Sequence, residues 1–437
     1  MYLFRKQRLW FTKRSKGMKE EEKRIEKGIA WMKQSRKGKN LARIMPVMFL
    51  LIMAVLGMSG CGRVERFLEN MRGGKSSKMG RSGAEAKAGD MDGAENIDEA
   101  GNAAGNGSTK DMDMTEAMVI PLSGIRELEN GFSAARVDGD YRFDDFLAQG
   151  GAASDGEVVR FLASSLLFGA DVKFSGTVFG CSTIAAENEE GERLFGRNFD
   201  WNRCEVLVLE THPENGFSSI SMVNTDFIRQ GAGGAAGRIL SQEEILKLAA
   251  VYAPLDGMNE MGLAVSVNMI QDSASIEQNT EKPDLTTTTL VRLLLDKAAD
   301  VEEALELLCS YDLHGSMGMM VHFALADRSG RSVAVEYIDN EMVVIDTPVV
   351  TNFYFAEGEK QGIGTAQSHE RYEILTEKLT ENPVMDMTEM RDALDRVSKD
   401  NFNEFASTEW SIVFNLESGE AHYYHRENYQ KLYVFRL

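Results

Sequence analysis

The sequence is poor in cysteine, and this limits how its folded state can be held together. Four cysteines occur in 437 residues, at Cys61, Cys181, Cys204 and Cys309. If Cys61 carries a lipid, as argued below, three remain, and three cysteines cannot all be paired in a disulfide framework. Cys309 lies on the apolar face of a helical segment and is expected to be buried, although a disulfide between Cys204 and Cys309 stays open. At least one thiol is therefore expected to have another use.

The sequence also lacks a basic stripe with interleaved aromatic residues. The whole chain carries a net charge of −20, and its basic residues are concentrated near the N-terminus, where residues 1–43 contain 15 Lys and Arg against 4 Asp and Glu. The rest of the chain is therefore strongly acidic and repels phosphate groups. We expect no nucleic-acid partner.

One long apolar run, residues 44–60, follows the basic segment and ends in small residues. This order is typical of a signal peptide, and an uncleaved membrane anchor is the alternative because the run is close to the shortest spanning helix. Met58-Ser59-Gly60-Cys61 resembles a bacterial lipobox. We therefore expect an exported lipoprotein, anchored through Cys61 to the outer face of the cytoplasmic membrane. Met32 begins a signal of ordinary length, so the start of translation stays open.

The segment after the signal has almost no aromatic or β-branched residues beyond Phe67. It cannot bury enough apolar surface to offset its ordering entropy, so residues 61–118 are predicted to be a disordered tether. Ordered sequence resumes near Val119. Apolar residues at three- and four-residue spacing predict two helices, within 143–151 and 156–169, before the segment that contains Cys181.

Beyond Gly180 the pattern indicates blocks of strands separated by pairs of helices. Helices are predicted within 286–299, from Asp300 with Glu303 as a capping box, within 369–379 and within 388–397. Strands are predicted within 181–188, 192–201, 205–212, 217–225, 262–270, 320–327, 332–339, 342–346, 349–354, 410–416, 421–427 and 431–435. Because strands and helices are segregated, the pattern favours an α+β architecture of stacked sheets covered by helices.

Cys181 directly follows a glycine. Gly180 has no Cβ, so its carbonyl is sterically open to attack by the neighbouring thiol. Such an attack gives a thioester whose hydrolysis breaks the chain and frees an α-amino group on Cys181. That amine, with an ordinary pKa near 8, can then act as a general base for the thiol of the same residue.

Five motifs surround this chemistry in the sequence: CST at 181–183, GRNFDW at 196–201, DGMNEMGLAVSVN at 256–268, VVTN at 349–352 and SHERY at 368–372. In order and spacing this series resembles the choloylglycine hydrolase, or linear amide C-N hydrolase, family of N-terminal nucleophile enzymes, which includes bile-salt hydrolases and penicillin V acylases. The resemblance runs from about Thr177 to the end of the chain. It implies a four-layer αββα sandwich and hydrolysis or transfer of the acyl group of simple amides, with no metal or cofactor.

The resemblance assigns roles to the residues near the thiol. Cys181 becomes the nucleophile and, through its α-amino group, the base. Arg197 lies beside the thiol, where a fixed cation favours thiolate, and Asp200 holds the new α-amino group. Asn198 has no firm counterpart.

Three more residues complete the implied site. The resemblance makes Asn268, through its backbone N–H, and Asn352, through its side chain, the donors of an oxyanion hole. Arg371 corresponds to a distal arginine of the site. Taken one by one, such residues are more often surface ion pairs or turn residues, so the assignment depends on the ordered set.

Rival interpretations remain open at the level of sequence. A conventional thiol hydrolase would pair Cys181 with a histidine, and His314 and His322 are the candidates. A ligand-capturing lipoprotein without enzymatic activity is another alternative, and an acyltransferase would use the same thioester. The glycine-rich stretch 231–237 lacks the flanking strand and helix of a nucleotide-binding loop, so a mobile loop at the mouth of the site is favoured.

The sequence as a whole predicts four segments: a lipoprotein signal at 1–60, a tether at 61–118, a helical pro-segment at 119–180 and a catalytic αββα domain at 181–437. The expected activity is hydrolysis of a linear, non-peptide amide bond in a small N-acyl substrate. The cleaved pro-segment is expected to stay bound to the catalytic chain as a partner.

Overall fold

The computed structural model describes residues 118–119, 124–167, 172–176, 179–230, 240–399 and 407–437. All of them lie in one compact unit, residues 107–437. The predicted signal, the lipidation site Cys61, nearly all of the tether and the glycine-rich stretch 231–237 lie outside the described residues. Within the ranges above, no helix is both long enough and apolar enough to cross a membrane.

The described chain contains helices and strands in separate blocks. The helices are α1 (Phe143–Ala148), α2 (Asp155–Ser165), α3 (Gln242–Val251), α4 (Thr287–Lys297), α5 (Val301–Leu308), α6 (Ala366–Glu381) and α7 (Met387–Asp395). The strands are β1 (Met118–Val119), β2 (Arg126–Glu129), β3 (Phe132–Asp138), β4 (Val172–Phe174), β5 (Gly180–Glu187), β6 (Arg193–Trp201), β7 (Val206–His212), β8 (Ser219–Asn224), β9 (Ile228–Gln230), β10 (Asp256–Asn259), β11 (Ala264–Met269), β12 (Asp284–Thr286), β13 (Asp312–His314), β14 (Val321–Ala326), β15 (Ser332–Ile338), β16 (Glu341–Asp346), β17 (Val349–Val350), β18 (Ser407–Asn415), β19 (Glu420–His425) and β20 (Tyr433–Arg436).

The strands form two large sheets. The first has the order β1-β20-β19-β18-β6-β5-β17, and the second has the order β16-β15-β14-β11-β10-β8-β7-β3-β2. Neighbours are antiparallel except for β1 with β20 and β3 with β7. Two short pairs, β12 with β13 and β4 with β9, stand apart from these sheets.

Each large sheet is covered by helices, and the two sheets contact each other. Helices α6 and α7 pack on β5, β6, β17 and β18 of the first sheet, and α3 and α4 pack on β3, β7, β10 and β11 of the second. The sheets meet through β5 and β11. Strand β18 contributes to two layers because its side chains alternate between its two faces. Ile412 and Phe414 lie in the main core. Val413 lies in a smaller cluster with Leu375 of α6 and Met390 of α7. The predicted mixed fold of sheets and helices is confirmed.

The segment before Cys181 is part of the same core. Helices α1 and α2 lie where the apolar spacing predicts them, but the segment also supplies the β2–β3 hairpin, which the sequence analysis missed. Strand β3 runs parallel to β7 and extends the second sheet. The ring of Phe132 is fully buried and stacks on Tyr423 at a centroid distance of 4.2 Å, a burial that contributes about 1.5–3 kcal/mol.

One sequence prediction about cysteine is wrong. Cys309 is exposed, not buried. Helix α5 buries Val301, Ala304 and Leu308, and Cys309 follows the last of these as the C-cap residue, which turns it away from the core. Cys204 is buried, and both thiols are free, so no disulfide joins them. The open disulfide alternative is thereby excluded.

Candidate active site

Cys181 lies at the start of β5, between the two sheets. In the pairing of β5 with β6, Gly180 lies opposite Asp200, Cys181 opposite Phe199 and Thr183 opposite Arg197. Residues two positions apart on a strand share a face, so the side chains of Cys181 and Arg197 point to the same side, toward the second sheet. The Cys181 side chain is completely buried.

The Cys181 thiol has two polar neighbours. Arg197 Nη2 is 3.3 Å from Sγ, and Sγ is 3.5 Å from the carbonyl oxygen of Val267. The guanidinium of Arg197 is itself held on two sides: Nη1 donates to Val267 O at 3.1 Å and to Ser266 Oγ, and Nε forms an ion pair with Asp256. The arginine is therefore fixed beside the sulfur by residues of the second sheet.

Burial, not charge, dominates the acidity of the thiol. Desolvation raises the pKa of Cys181 to about 12, and the opposing effect of Arg197 only limits the rise. The expectation that Arg197 would favour thiolate is therefore outweighed by burial in the intact chain. Because the thiol is protonated at neutral pH, its attack on a carbonyl requires that the proton be removed during the reaction.

The backbone nitrogen of Cys181, which would become the α-amino group after cleavage, points to Asn352. Cys181 N donates to Asn352 Oδ1 at 2.8 Å. Arg371 donates to the same oxygen at 2.7 Å and, through Nη1, to Asp200 Oδ2 at 2.6 Å. The structure thus brings Asp200, Asn352 and Arg371 together around the Gly180–Cys181 peptide, with Asn352 next to the nitrogen and Asp200 next to Gly180.

The two asparagines assigned to an oxyanion hole differ in their side-chain contacts. Asn352 Nδ2 donates to Met269 O at 2.6 Å, and since an amide nitrogen carries two protons, one remains available. Asn268 Oδ1 accepts from Ser266 Oγ at 3.2 Å, while its buried Nδ2 has no hydrogen-bond partner among the described residues. Both residues are buried: Asn268 is part of β11, the strand that contains Val267, and Asn352 contacts Met269 of the same strand.

Asn198 faces away from the thiol. Its side chain donates to Leu394 O at 2.8 Å and accepts from Ser411 Oγ at 2.7 Å, on the side of the first sheet that α7 covers. Strand alternation places it on the opposite face from Arg197. This agrees with its having no assigned role.

Neither candidate histidine contacts the thiol. The ring of His314 is 2.8 Å from Asp284, and the ring of His322 lies between Glu336 at 3.1 Å and Thr351 O at 2.6 Å. Both nitrogens of His322 are thus occupied. A thiol–histidine pair at Cys181 has no support in these contacts.

The sequence analysis missed two charged residues of the site. Asp256 is the buried partner of Arg197, and Lys399 Nζ lies 3.7 Å from Asp200 Oδ2. Asp256 is the first residue of the DGMNEMGLAVSVN motif. The motif could therefore have indicated Asp256, but only its last residue, Asn268, was given a role. Lys399 stands in a polar segment with no recognisable pattern. In the described part of the chain, no group of three or more His, Cys, Asp or Glu is arranged to hold a metal ion.

The region around this site is similar in sequence to known proteins. Residues 181–354 match the profile of the linear amide C-N hydrolases, choloylglycine hydrolase family. A penicillin V acylase from Pectobacterium atrosepticum is 31% identical over 99 residues, a match that covers 20% of this chain and 26% of that relative. The matched part is thus about a quarter of the relative's own length.

Two solved structures are also similar to this chain. A conjugated bile acid hydrolase from Clostridium perfringens has 17% identity and a TM-score of 0.43, and the match covers 59% of this chain and 92% of that one. A penicillin V acylase from Agrobacterium tumefaciens has 20% identity and a TM-score of 0.41, covering 58% and 85%.

The family match begins at Cys181, the candidate nucleophile. It includes four of the five motifs, from CST to VVTN, and SHERY lies beyond its end. The resemblance inferred from these motifs is confirmed. Residues 181–354 of this chain therefore match the linear amide C-N hydrolases, choloylglycine hydrolase family, whose members are hydrolases of linear amide C–N bonds.

Proposed function

We propose that this protein is an exported, lipid-anchored amidase that hydrolyses a linear, non-peptide amide bond of a small N-acyl substrate. The reaction passes through an acyl thioester on Cys181, which becomes N-terminal by self-cleavage after Gly180. The observation that carries the proposal is the pair of contacts at one residue: Arg197 beside the sulfur of Cys181 and Asn352 beside its nitrogen. A residue that is to serve as both nucleophile and base needs a partner on each atom.

The fold belongs to the same proposal. We assign the four-layer αββα sandwich of N-terminal nucleophile hydrolases, preceded by a pro-segment. Support comes from helices α6 and α7 on the first sheet, α3 and α4 on the second, and direct contact of the sheets through β5 and β11. The position of Cys181 at the start of β5, the strand through which the first sheet contacts β11 of the second, fits that architecture.

Self-cleavage would proceed at the Gly180–Cys181 peptide. The thiol gives up its proton and adds to the carbonyl carbon of Gly180, the C–N bond breaks, and the departing nitrogen takes up a proton as the free α-amino group. Water then hydrolyses the thioester, which leaves a carboxylate on Gly180 and restores the thiol. Asp200 and Lys399 lie beside Gly180, and Arg371 donates to Asn352, the residue that accepts from Cys181 N.

Turnover would repeat the same bond changes on substrate. The α-amino group of Cys181 takes the thiol proton, sulfur adds to the substrate carbonyl, and the amide C–N bond breaks as the leaving amine takes that proton. The second proton of Asn352 Nδ2 and the backbone N–H of Asn268 would stabilise the oxyanion. Water, deprotonated by the same α-amino group, releases the acid and restores the thiol. Attack by an amine instead of water would make the protein an acyltransferase.

The pro-segment, residues 119–180, would stay with the catalytic chain after cleavage. It supplies β3 to the second sheet and buries Phe132, Phe143, Phe146 and Leu162. Tyr141 also donates to the buried Asp296 of α4 at 2.6 Å. Lipidation at Cys61, which rests on the sequence alone, would then hold the catalytic chain at the membrane only through this packing.

The mass of the purified protein tests the proposal. We expect a fragment that begins at Cys181, which co-elutes with the pro-segment in native size-exclusion chromatography and separates from it in denaturant. The cleaved protein is expected to release free acid from at least one N-acyl amide in a panel that includes conjugated bile acids and penicillin V. A wild-type protein that is active while uncleaved would refute self-cleavage, and a cleaved protein that binds amides without hydrolysing them would favour the ligand-binding alternative.

Gly180→Ala is expected to slow self-cleavage by about tenfold or more. A Cβ at Gly180 would lie 2.9 Å from Asp200 Oδ2 and 2.8 Å from Lys399 Nζ. Lys399 is long enough to move, but Asp200 is held by Arg371 and by Thr408 at 2.7 Å, so the overlap costs about 1–3 kcal/mol. The fraction of chain cleaved over time measures the effect.

Gly156→Ala is the matched control. Gly156 lies in α2, and a Cβ there would have no neighbour closer than 3.9 Å. The control is expected to cleave at the wild-type rate and to be slightly more stable, because alanine favours the helix. Equal cleavage of the two variants and wild type would contradict a steric requirement at Gly180.

A further inference from the structure

His322 and Glu336 form a fully buried pair on neighbouring strands, β14 and β15. The ring of His322 contacts Glu336 Oε1 through Nδ1 at 3.1 Å and the carbonyl oxygen of Thr351 through Nε2 at 2.6 Å. Glu336 also accepts two backbone N–H groups, from Phe355 at 2.8 Å and from Ala356 at 2.9 Å. The pair therefore contacts the backbone on both sides of Asn352.

The hydrogen bonds define the protonation of this pair. Both Glu336 oxygens accept backbone N–H groups, and despite the opposing effect of burial, His322 and these bonds hold the pKa of Glu336 below its usual value. Glu336 is thus an ionised carboxylate. Because Thr351 O can only accept, and an ionised carboxylate can only accept, both contacts are hydrogen bonds only if each nitrogen of His322 carries a proton. The geometry is that of an imidazolium next to a carboxylate.

This pair lies directly behind the two asparagines assigned to the oxyanion. In the pairing of β11 with β14, His322 lies opposite Asn268. On the other side, Thr351 immediately precedes Asn352, whose side chain accepts from Cys181 N. Residues 351–356 are therefore held at one end by His322 and at the other by Glu336, and Asn352 lies between the two anchors.

We propose that His322 and Glu336 are a positioning pair for the active site: their buried ion pair fixes residues 351–356, and with them the Asn352 side chain, beside Cys181. The pair does not exchange a proton with the thiol, which it does not contact. It acts on the reaction through Asn352, so its loss weakens stabilisation of the transition state more than binding of substrate. This inference rests on the proposed amidase function for its kinetic consequences, but not for the protonation of His322.

Three variants test the kinetic part. His322→Gln keeps a donor for Thr351 O but places an amide oxygen against Glu336, and Glu336→Gln removes the charge that holds the imidazolium. Each is expected to lower kcat by about 10–100-fold with KM changed by less than about threefold. The double variant H322Q/E336Q removes both charges, and because both changes act on the same segment, its kcat is expected to lie within about threefold of the lower single variant.

His422→Gln provides the matched control. His422 and Glu420 are also a contacting histidine and glutamate, through Nε2 at 2.6 Å, but both lie on β19 and are partly exposed. The kcat and KM of the His422→Gln variant are expected to equal those of wild type. Wild-type kcat in both single variants, or losses that follow the folded fraction and multiply in the double variant, would overturn the positioning role.

A spectroscopic measurement separates this inference from the proposed function. In ¹⁵N-histidine-labelled full chain at pH 7.5, the resonances that disappear in H322Q are expected to show two protonated ring nitrogens. A neutral ring at His322 would overturn the ion pair whatever the activity. If H322Q does not fold, the His322 ring resonances are assigned instead as those that shift in E336Q. An imidazolium signal in a protein that hydrolyses no amide would refute the amidase proposal and, with it, the positioning role, while leaving the ion pair established.

Discussion

Cys181→Ala is expected to remain a single uncleaved chain and to lose amide hydrolysis by about 10⁴-fold or more, because one side chain supplies the nucleophile for both reactions. Neither of the other two thiols in the described ranges is placed to replace it: Cys204 is buried elsewhere in the core, and Cys309 is exposed at the end of α5. Intact-mass measurement reports cleavage, and release of free acid from an N-acyl amide reports turnover.

Cys309→Ala is the control for this experiment, since it removes a free thiol without touching the site. It is expected to cleave and to turn over substrate as wild type does. If Cys181→Ala still yields a chain that begins at residue 181, a protease and not this thiol makes the cut. If it still hydrolyses the amide, Cys181 is not the nucleophile.

Arg197→Met is expected to lower the free energy of unfolding by about 3–5 kcal/mol at pH 7, because it leaves the carboxylate of Asp256 buried without its cation. It is also expected to lower kcat by about 100-fold or more, since the thiol loses its one cationic neighbour at 3.3 Å. Thermal or denaturant unfolding measures the first effect, and steady-state kinetics measures the second.

The stability loss is expected to shrink in acid. Even beside Arg197, burial raises the pKa of Asp256 to about 6, above its unfolded value near 4. A raised carboxyl pKa means that the folded state binds the proton more tightly, so the cost of the buried charge is present above pH 6 and disappears as pH falls toward 4. Without Arg197 the pKa rises further. The difference between wild type and R197M is therefore expected to be larger at pH 7 than at pH 5.

A double variant separates stability from catalysis. R197M/D256N removes both charges of the buried pair, and it is expected to regain most of the stability lost in R197M. Its kcat is expected to stay low, because the contact of Arg197 with the sulfur is still missing. Recovery of both quantities together would mean that Arg197 serves only to neutralise Asp256.

Local patterns in the sequence were enough to place most elements. Alternating residues predicted β5, β6 and β14, and the spacing of Asp300 and Glu303 predicted the start of α5, where Asp300 accepts from Glu303 N at 2.9 Å. The β2–β3 hairpin was missed although Asn130-Gly131 is a strong turn signal, and Gly131 adopts a φ of +84° there. Short pairs such as β4 with β9 carry no pattern that a single sequence reveals.

The candidate site was predictable where residues fall in motifs and not where it depends on contacts between sheets. The sequence alone led to Cys181, Arg197, Asn352 and Arg371. It did not lead to Asp256, although this residue begins a recognised motif, because its role depends on its facing Arg197 from the other sheet. His322 was considered only as a base for the thiol. Its contacts with Glu336 and Thr351 instead place it behind the site.

The sequence by itself determined most of the longer elements, the Gly180–Cys181 pair as the candidate for self-cleavage and the family resemblance, because these follow from residue types at fixed spacing along one chain. Only the tertiary structure decided the burial of the Cys181 thiol, the partner of its nitrogen and the contacts of His322. These depend on burial and on which acceptor faces which donor, and both are set when two sheets far apart in sequence close on each other.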